Sequence, residues 1–359
     1  AVTTAGDLRF GVALDEPPAG WRLADPAPVK AFAARLLAGE TARLEGDAPW
    51  LAAGDLPLAA DGTLTLAVTD RADASTADRL VYHLARLVVG VGCERDAGPD
   101  EVIGLVRATL AQAGLAPEAV AAVVSLDLKA DEPAVHKAAD ALSVPARFFD
   151  AATLEAETPR LHTPSEAVFR EVGCHGVAEA AALAAVGPAG ELVVSKRKSR
   201  RATCAVARAP DVLDRAAIGR PRGRLAIVGI GPGSAEWRTP EASAAIARAD
   251  DLIGYRLYLD LLGPLAEGKQ RHDYDLGEEE TRCRAALDLA AAGRSVALVS
   301  SGDPGIYAMA TLVFELLDRE ARADWRRLAI SVVPGISALQ AAAARAGAPV
   351  GHDFCAISL

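Results

Sequence analysis

Three glycine-bearing loops hold the residues of this chain best suited to grip a small molecule. Gly229, Gly231 and Gly233 flank Ile230 and Pro232 directly after an apolar run at 225–230. A second loop, SGDPGIY at 301–307, carries Gly302, Asp303, Ile306 and Tyr307 after the run VALVSS. The third, VPGISA at 333–338, carries Gly335, Ser337 and Ala338 after the run ISVV. Glycine admits positive φ and lets backbone approach a ligand closely. The carboxyl ends of strands are where α/β sheets bind their ligands. One such loop is an ordinary turn, but three on one sheet edge mark a site. A dinucleotide fingerprint would need glycine where Ser234 stands, and Pro232 removes an N–H from the would-be pyrophosphate cradle. No G-K-[ST] follows, so the Walker pattern fails as well. A nicotinamide-dinucleotide-dependent oxidoreductase is kept as an alternative.

A second constellation lies upstream. Lys129, Glu132, Glu166 and Glu179 sit in polar clusters at the ends of apolar runs, and a basic stretch, KRKSRR, covers 196–201. Carboxylates of this kind can activate water as general bases, and lysines can polarise a carbonyl. Surface ion pairs explain them equally well. Lys196 and Arg197 would suit a clamp for carboxylates, against the plainer reading of a solvated turn. Cys93 has no histidine placed beside it, and adjacency of Cys174 and His175 in sequence says little about geometry. Tyr307 and His272 are read as packing or surface contacts rather than acids or bases.

These residues need elements to hold them. Residues 1–84 mix short apolar runs (TLTLAVT at 63–69), one helical pattern at 28–37 and heavy turn punctuation, which predicts a small α+β unit. Residues 85–210 alternate: strands at 87–91 and 120–128, helices at 99–113, 132–142 and 178–186, then runs at 192–195 and 202–207 flanking the basic stretch like a hairpin. Residues 211–223 read as a linker. From 224 to 359 the rhythm repeats, with strands at 225–230, 251–255, 295–300 and 328–333, a helix from Pro240, and a last strand starting at Phe354. Strand–helix alternation implies mainly parallel sheets. The expected fold class is therefore multidomain α/β: two α/β domains and a small N-terminal α+β segment.

Bulk properties bound the function. A length of 359 residues suits two or three domains, and 24% charged with 51% apolar residues is a globular composition. Neither a long uncharged apolar run nor a signal-peptide pattern is visible, so a cytoplasmic protein without a membrane span is expected. The net charge of −10 argues against nucleic acid as a partner. Five scattered cysteines without a C-x-x-C pair point to reduced thiols and no metal site. The missing initiator Met suggests a fragment.

The third segment resembles the tetrapyrrole (corrin and porphyrin) methyltransferases. G-x-GPG, SGDPGIYA and VVPGISAL carry the likeness over 224–359, and DLIGYRLYLD, HDYDLGEEETRCRAALDLA and HDFCAISL are similar to the precorrin-3B C(17)-methyltransferase subgroup. The resemblance implies S-adenosyl-L-methionine as cofactor, bound by Gly302, Asp303, Ile306, Ser337 and Ala338. It also implies a precorrin trough bordered by Gly229, Gly231, Pro232 and Gly233. In that family a second lobe follows, and the expectation is that this chain stops short of it. Transfer from an activated sulfonium asks mainly for orientation and exclusion of water, so no nucleophile is assigned.

The second segment, with GVGC, SLDLKADE, TPSE, GVAEAA and the basic stretch in order, resembles the C-terminal domain of the cobalt-precorrin-5A hydrolase family, and residues 1–84 its central region. That family opens a lactone and releases acetaldehyde. Lys129, Glu132, Glu166 and Glu179 then become candidate catalytic residues, with Lys196 and Arg197 toward the substrate's carboxylates. The combined expectation is a cobalamin-biosynthesis fusion, with a homodimer as a possible assembly. The alternative is a corrinoid-binding or channelling module without hydrolase activity.

Overall fold

The structure is a computed structural model that describes residues 9–348, 350, 351, 353–355 and 357. The chain divides into two compact units, Ala1–Gly219 and Arg220–Leu359.

The first unit holds two sheets. The smaller contains β1 (Trp21–Leu23), β2 (Ala42–Glu45), β3 (Leu64–Val68) and β4 (Arg79–Leu84) in the order β1-β4-β3-β2. Helices α1 (Val29–Leu37) and α2 (Pro49–Ala52) accompany them. Phe32, Leu36, Leu51, Leu64, Leu66, Leu80 and Tyr82 form its core, and the buried Tyr82 hydroxyl donates to the Leu14 carbonyl at 2.8 Å. Strands β2, β3 and β4 run parallel. With β1 antiparallel to β4, the sheet is mixed, and the segment is the small unit of strands and helices expected.

The larger sheet has the order β7-β6-β5-β9-β8, from β5 (Leu87–Cys93), β6 (Val120–Leu126), β7 (Ala146–Phe149), β8 (Glu191–Lys198) and β9 (Ala202–Arg208). The first three are parallel, and β9 runs antiparallel to both β5 and β8. Strand β6 is buried along its whole length, as its apolar run VAAVVSL requires for a strand covered on both faces. Helices α3 (Pro99–Gln112) and α4 (Pro133–Ala141) cover one face; α7 (Ala178–Val186) covers the other, after α5 (Ala151–Ala156) and α6 (Glu166–Val172). Helix α7 is almost all alanine and lies so close to β5 that a Cβ at Gly90 would collide with the Ala178 carbonyl oxygen. The basic stretch departs from expectation: Lys196, Arg197 and Lys198 belong to β8 itself, and only residues 199–201 make the turn. Val194 is the one buried residue of β8; Lys196 and Arg197 are half-buried and Lys198 exposed, beyond an irregularity in the pairing with β9.

The second unit is one fully parallel sheet, order β12-β11-β13-β10-β14, made of β10 (Arg224–Gly229), β11 (Asp251–Tyr255), β12 (Gln270–Tyr274), β13 (Ser295–Ser300) and β14 (Ala329–Val333). Helices α8 (Pro240–Arg248) and α9 (Arg256–Asp260) pack on one face, α10 (Glu279–Ala291) and α11 (Met309–Glu320) on the other, and α12 (Ala338–Ala346) follows β14. Helix α8 begins at the expected proline, capped by Thr239. The strand expected from Phe354 falls partly outside the described residues; Phe354 and Cys355 are not in a strand. Among the described residues no helix is long and apolar enough to cross a membrane.

Candidate cofactor and substrate sites

In the second unit the three glycine loops leave neighbouring strands at their carboxyl ends and meet backbone to backbone. Gly231 and Gly302 exchange hydrogen bonds: Gly302 N donates to Gly231 O at 2.9 Å, and Gly231 N to Gly302 O at 3.2 Å. A Cβ at Gly229 or at Gly335 would strike the Gly302 carbonyl oxygen, so these loops interlock only because both positions lack one. Asp303 staples the cluster. Its Oδ1 accepts from Gly305 N at 2.8 Å and its Oδ2 from Gly335 N at 3.1 Å. Ser337 caps α12 through a reciprocal pair with Gln340, which leaves the positive end of that helix at the loops.

A cavity of about 600 Å³ opens here, a volume typical of small-molecule sites. Gly302, Asp303, Ile306, Ser337 and Ala338, the five residues expected to bind the cofactor, all line it, as does Pro232. Gly229, Gly231 and Gly233 do not line it; the first two shape it by permitting the close loop contacts. Sequence reasoning missed Tyr258, Glu279, Arg282, Ser300 and Met309, which complete the walls. Arg282 was detectable: it stands four residues before Ala286 and eight before Ala290, on the face of α10 that is buried. Ser300 Oγ and Arg282 Nη1 are shielded from solvent and have no hydrogen-bond partner among the described residues. Space, close backbone approach and unsatisfied donors together fit a polar, carboxylate-bearing cofactor.

The loop geometry disfavours a dinucleotide. Between Gly233 and α8 lies a separate 3-10 turn, Ala235–Trp237, so the helix N-terminus does not follow the glycines as a pyrophosphate cradle requires. Tyr307 is exposed at the cavity rim. His272 lies in the edge strand β12, where its Nε2 is 2.9 Å from Oδ1 of the buried Asp251, whose Oδ2 accepts from Arg294. That places His272 in a packing role.

The candidates of the first unit fall into three clusters. Glu179, in the first turn of α7, is buried and saturated: Oε1 accepts from Lys196 N at 2.8 Å and Thr163 Oγ1 at 3.0 Å, Oε2 from His162 N at 2.9 Å and Thr163 N at 3.0 Å. Burial opposes its charge, but these donors, chiefly the backbone N–H groups of Lys196, Thr163 and His162, outweigh burial and hold the carboxyl below its ordinary range. A carboxylate with every lone pair engaged positions its neighbours and is poorly placed to take a proton from water. Lys196 Nζ donates to the Thr163 carbonyl at 2.8 Å, and burial, then the nearby Lys198, lowers its pKa.

In the second cluster, Glu132 is buried and accepts from Asp96 N at 3.1 Å, while Lys129 ends the turn after β6. Cys93 ends β5 close by. Burial pushes its thiol up to about 11, so it is protonated at neutral pH and unfit as a nucleophile. In the third, Glu166 is exposed at the start of α6 and meets His175 Nε2 at 3.2 Å, while Glu155 holds His175 Nδ1 at 2.9 Å. Glu155 raises the pKa of His175 against burial, with help from Glu166. No hydrogen bond joins Lys129, Glu132, Glu166 and Glu179 to one another among the described residues. Of the basic stretch, Arg201 is held by Glu94 and two backbone carbonyls, Arg197 bonds Gln112, and Lys198 and Arg200 stay exposed.

Residues 87–207 match the family model described as Cobalamin synthesis G C-terminus, and residues 224–359 match Tetrapyrrole (Corrin/Porphyrin) Methylases. Protein CobE of Sinorhizobium sp is 54% identical over 123 residues, which covers 34% of this chain and 80% of that one. Precorrin-3B C(17)-methyltransferase of Sinorhizobium sp is 49% identical over 137 residues, 38% of this chain and 53% of that one. Cobalamin biosynthesis protein CobIJ of Mycobacterium tuberculosis is 47% identical over 137 residues, 38% of this chain and 26% of that one. The chain therefore spans about a quarter of the latter and about half of the former methyltransferase.

Proposed function

The chain belongs to the cobalamin-synthesis family that includes Protein CobE, and on that premise we propose that it works in corrin-ring biosynthesis, its second unit as the S-adenosyl-L-methionine-binding lobe of a precorrin-3B C(17)-methyltransferase. One observation carries the reading of the site: all five residues assigned to the cofactor line one cavity, between loops locked together by glycine contacts and Asp303. The cofactor supplies a methyl group already activated on a sulfonium. The chain supplies position and dryness. Gly302 brings main chain close to the ligand, Ile306 and Met309 give apolar wall, and Asp303 fixes the loops through their own N–H groups. Pro232, with the Gly229, Gly231 and Gly233 loop around it, borders the space for the tetrapyrrole.

The first unit (central region 1–84 and domain 85–210, with 211–223 leading on) acts, in this proposal, on the same class of substrate as a cobalt-precorrin-5A hydrolase-like part. Lys196 and Arg197 face the substrate's carboxylates, Lys129 polarises the lactone carbonyl, and Glu132 or Glu166 serves water. Glu179 is a positioning residue here. Its saturation also favours the second reading, a unit that binds or hands over corrinoids without opening a lactone. A cytoplasmic homodimer completes the proposal.

Titration calorimetry tests the methyltransferase reading. S-adenosylhomocysteine is expected to bind the chain with an affinity in the micromolar range, about −8 kcal/mol. A nicotinamide dinucleotide is expected to give no heat of binding. The reverse preference overturns the proposal. Acetaldehyde release from a cobalt-precorrin-5A lactone separates the two readings of the first unit.

A further inference from the structure

Arg282 is a buried charge of the second unit whose donors are only partly used. It lies in the first turns of α10, is 4% exposed, and lines the cavity together with Glu279 and Met309. Two of its nitrogens are engaged: Nη2 reaches Glu279 Oε1 at 3.2 Å and Nε lies 3.4 Å from Met309 Sδ. Sulfur is a weak acceptor, and the half-buried Glu279 carboxylate answers the charge through Nη2 alone. Nη1 has no partner among the described residues. Ser300, at the carboxyl end of β13, lines the same cavity and its shielded hydroxyl is equally unpartnered. Leaving a buried polar atom unmade costs about 1–3 kcal/mol, and more for a charged group. Two such atoms on the wall of one cavity, one belonging to a guanidinium, form a corner short of an acceptor. The capped N-terminus of α12 at Ser337 and Ala338 adds positive potential to that cavity.

We infer that Arg282 and Ser300 form a carboxylate-receiving corner of the methyltransferase cavity. A guanidinium only donates, so Nη1 needs an acceptor, and a planar carboxylate is the acceptor that best matches its N–H groups and its charge. Glu279 and Met309 hold the side chain in place for that partner. The inference rests on the proposed function, which supplies two sources of carboxylate: the aminoacyl end of the cofactor and the acidic arms of the tetrapyrrole.

The test uses the full chain, its Arg282→Met and Ser300→Ala variants, and three probes. S-adenosylhomocysteine carries the aminoacyl carboxylate, methylthioadenosine lacks it, and uroporphyrin supplies tetrapyrrole carboxylates alone. If the corner takes the cofactor, Arg282→Met weakens S-adenosylhomocysteine about tenfold or more and leaves methylthioadenosine unchanged. If it takes the tetrapyrrole, the same loss appears for uroporphyrin and not for S-adenosylhomocysteine. Ser300→Ala gives a smaller loss for the same probe, and serves alone should Arg282→Met not fold. Unchanged affinities, or equal weakening of S-adenosylhomocysteine and methylthioadenosine, overturn the inference while the proposed function stands. A wild-type chain that binds no probe removes both.

Discussion

Glu179 is a buried charge that organises the segments around it. Its four donors come from a loop (His162, Thr163) and a strand (Lys196), so one carboxylate fixes two segments against α7. Replacing Glu179 with Gln puts an amide N–H where donors converge, and the first unit should lose about 2–3 kcal/mol in urea unfolding. The pH dependence has a definite sign. A carboxyl whose folded pKa lies below the unfolded value of about 4.3 contributes fully above that pH, and its contribution fades as pH falls through the folded value. The wild-type chain should therefore shed stability below about pH 4 more steeply than Glu179→Gln. Parallel acid limbs for the two proteins would refute the assignment.

At the scale of elements, the loop cluster depends on the absence of side chains. Gly335→Ala should leave most of the parallel sheet intact yet separate the loops. S-adenosylhomocysteine affinity should fall by more than tenfold, with a loss of stability of about 1–3 kcal/mol in the same variant. Intact affinity would show that the loops do not form the binding wall. The loops were legible in sequence because glycine and proline punctuate apolar strands; α7 was legible as an alanine-rich run and α8 from Pro240. Other elements were hidden. Strand β12 reads QRHDY, a polar edge strand with one neighbour, which alternation of apolar residues does not announce. Helices α5 and α6 are six and seven residues long, too short for periodicity to register. The basic stretch looked like a turn because consecutive charges mask a strand in which Val194 is the one buried residue. Glu179 looked like an acid or base because its four partners lie distant in sequence, and no spacing rule brings them together.

Taken whole, the molecule divides after Gly219, within the connecting stretch 211–223. Ile218 is 4% exposed and shares the core of α7 and β6, and the Arg215 carbonyl accepts from Arg147 Nε at 3.2 Å. A version of the first unit ending at residue 210 should be less stable than one ending at 219 by about 2–4 kcal/mol, mostly from the lost isoleucine. Equal urea midpoints for the two would place the boundary earlier. The loop cluster has a wider consequence. Because the contacts that lock these loops are main chain, point substitution can obstruct them by adding bulk but can hardly retune them. Tyr258, Leu276 and Met309, which reach the same cavity by their side chains, can vary without disturbing the backbone lock. On the proposed function, the glycines of this scaffold fix the place of the donor, and the side-chain walls leave the acceptor's place free to vary.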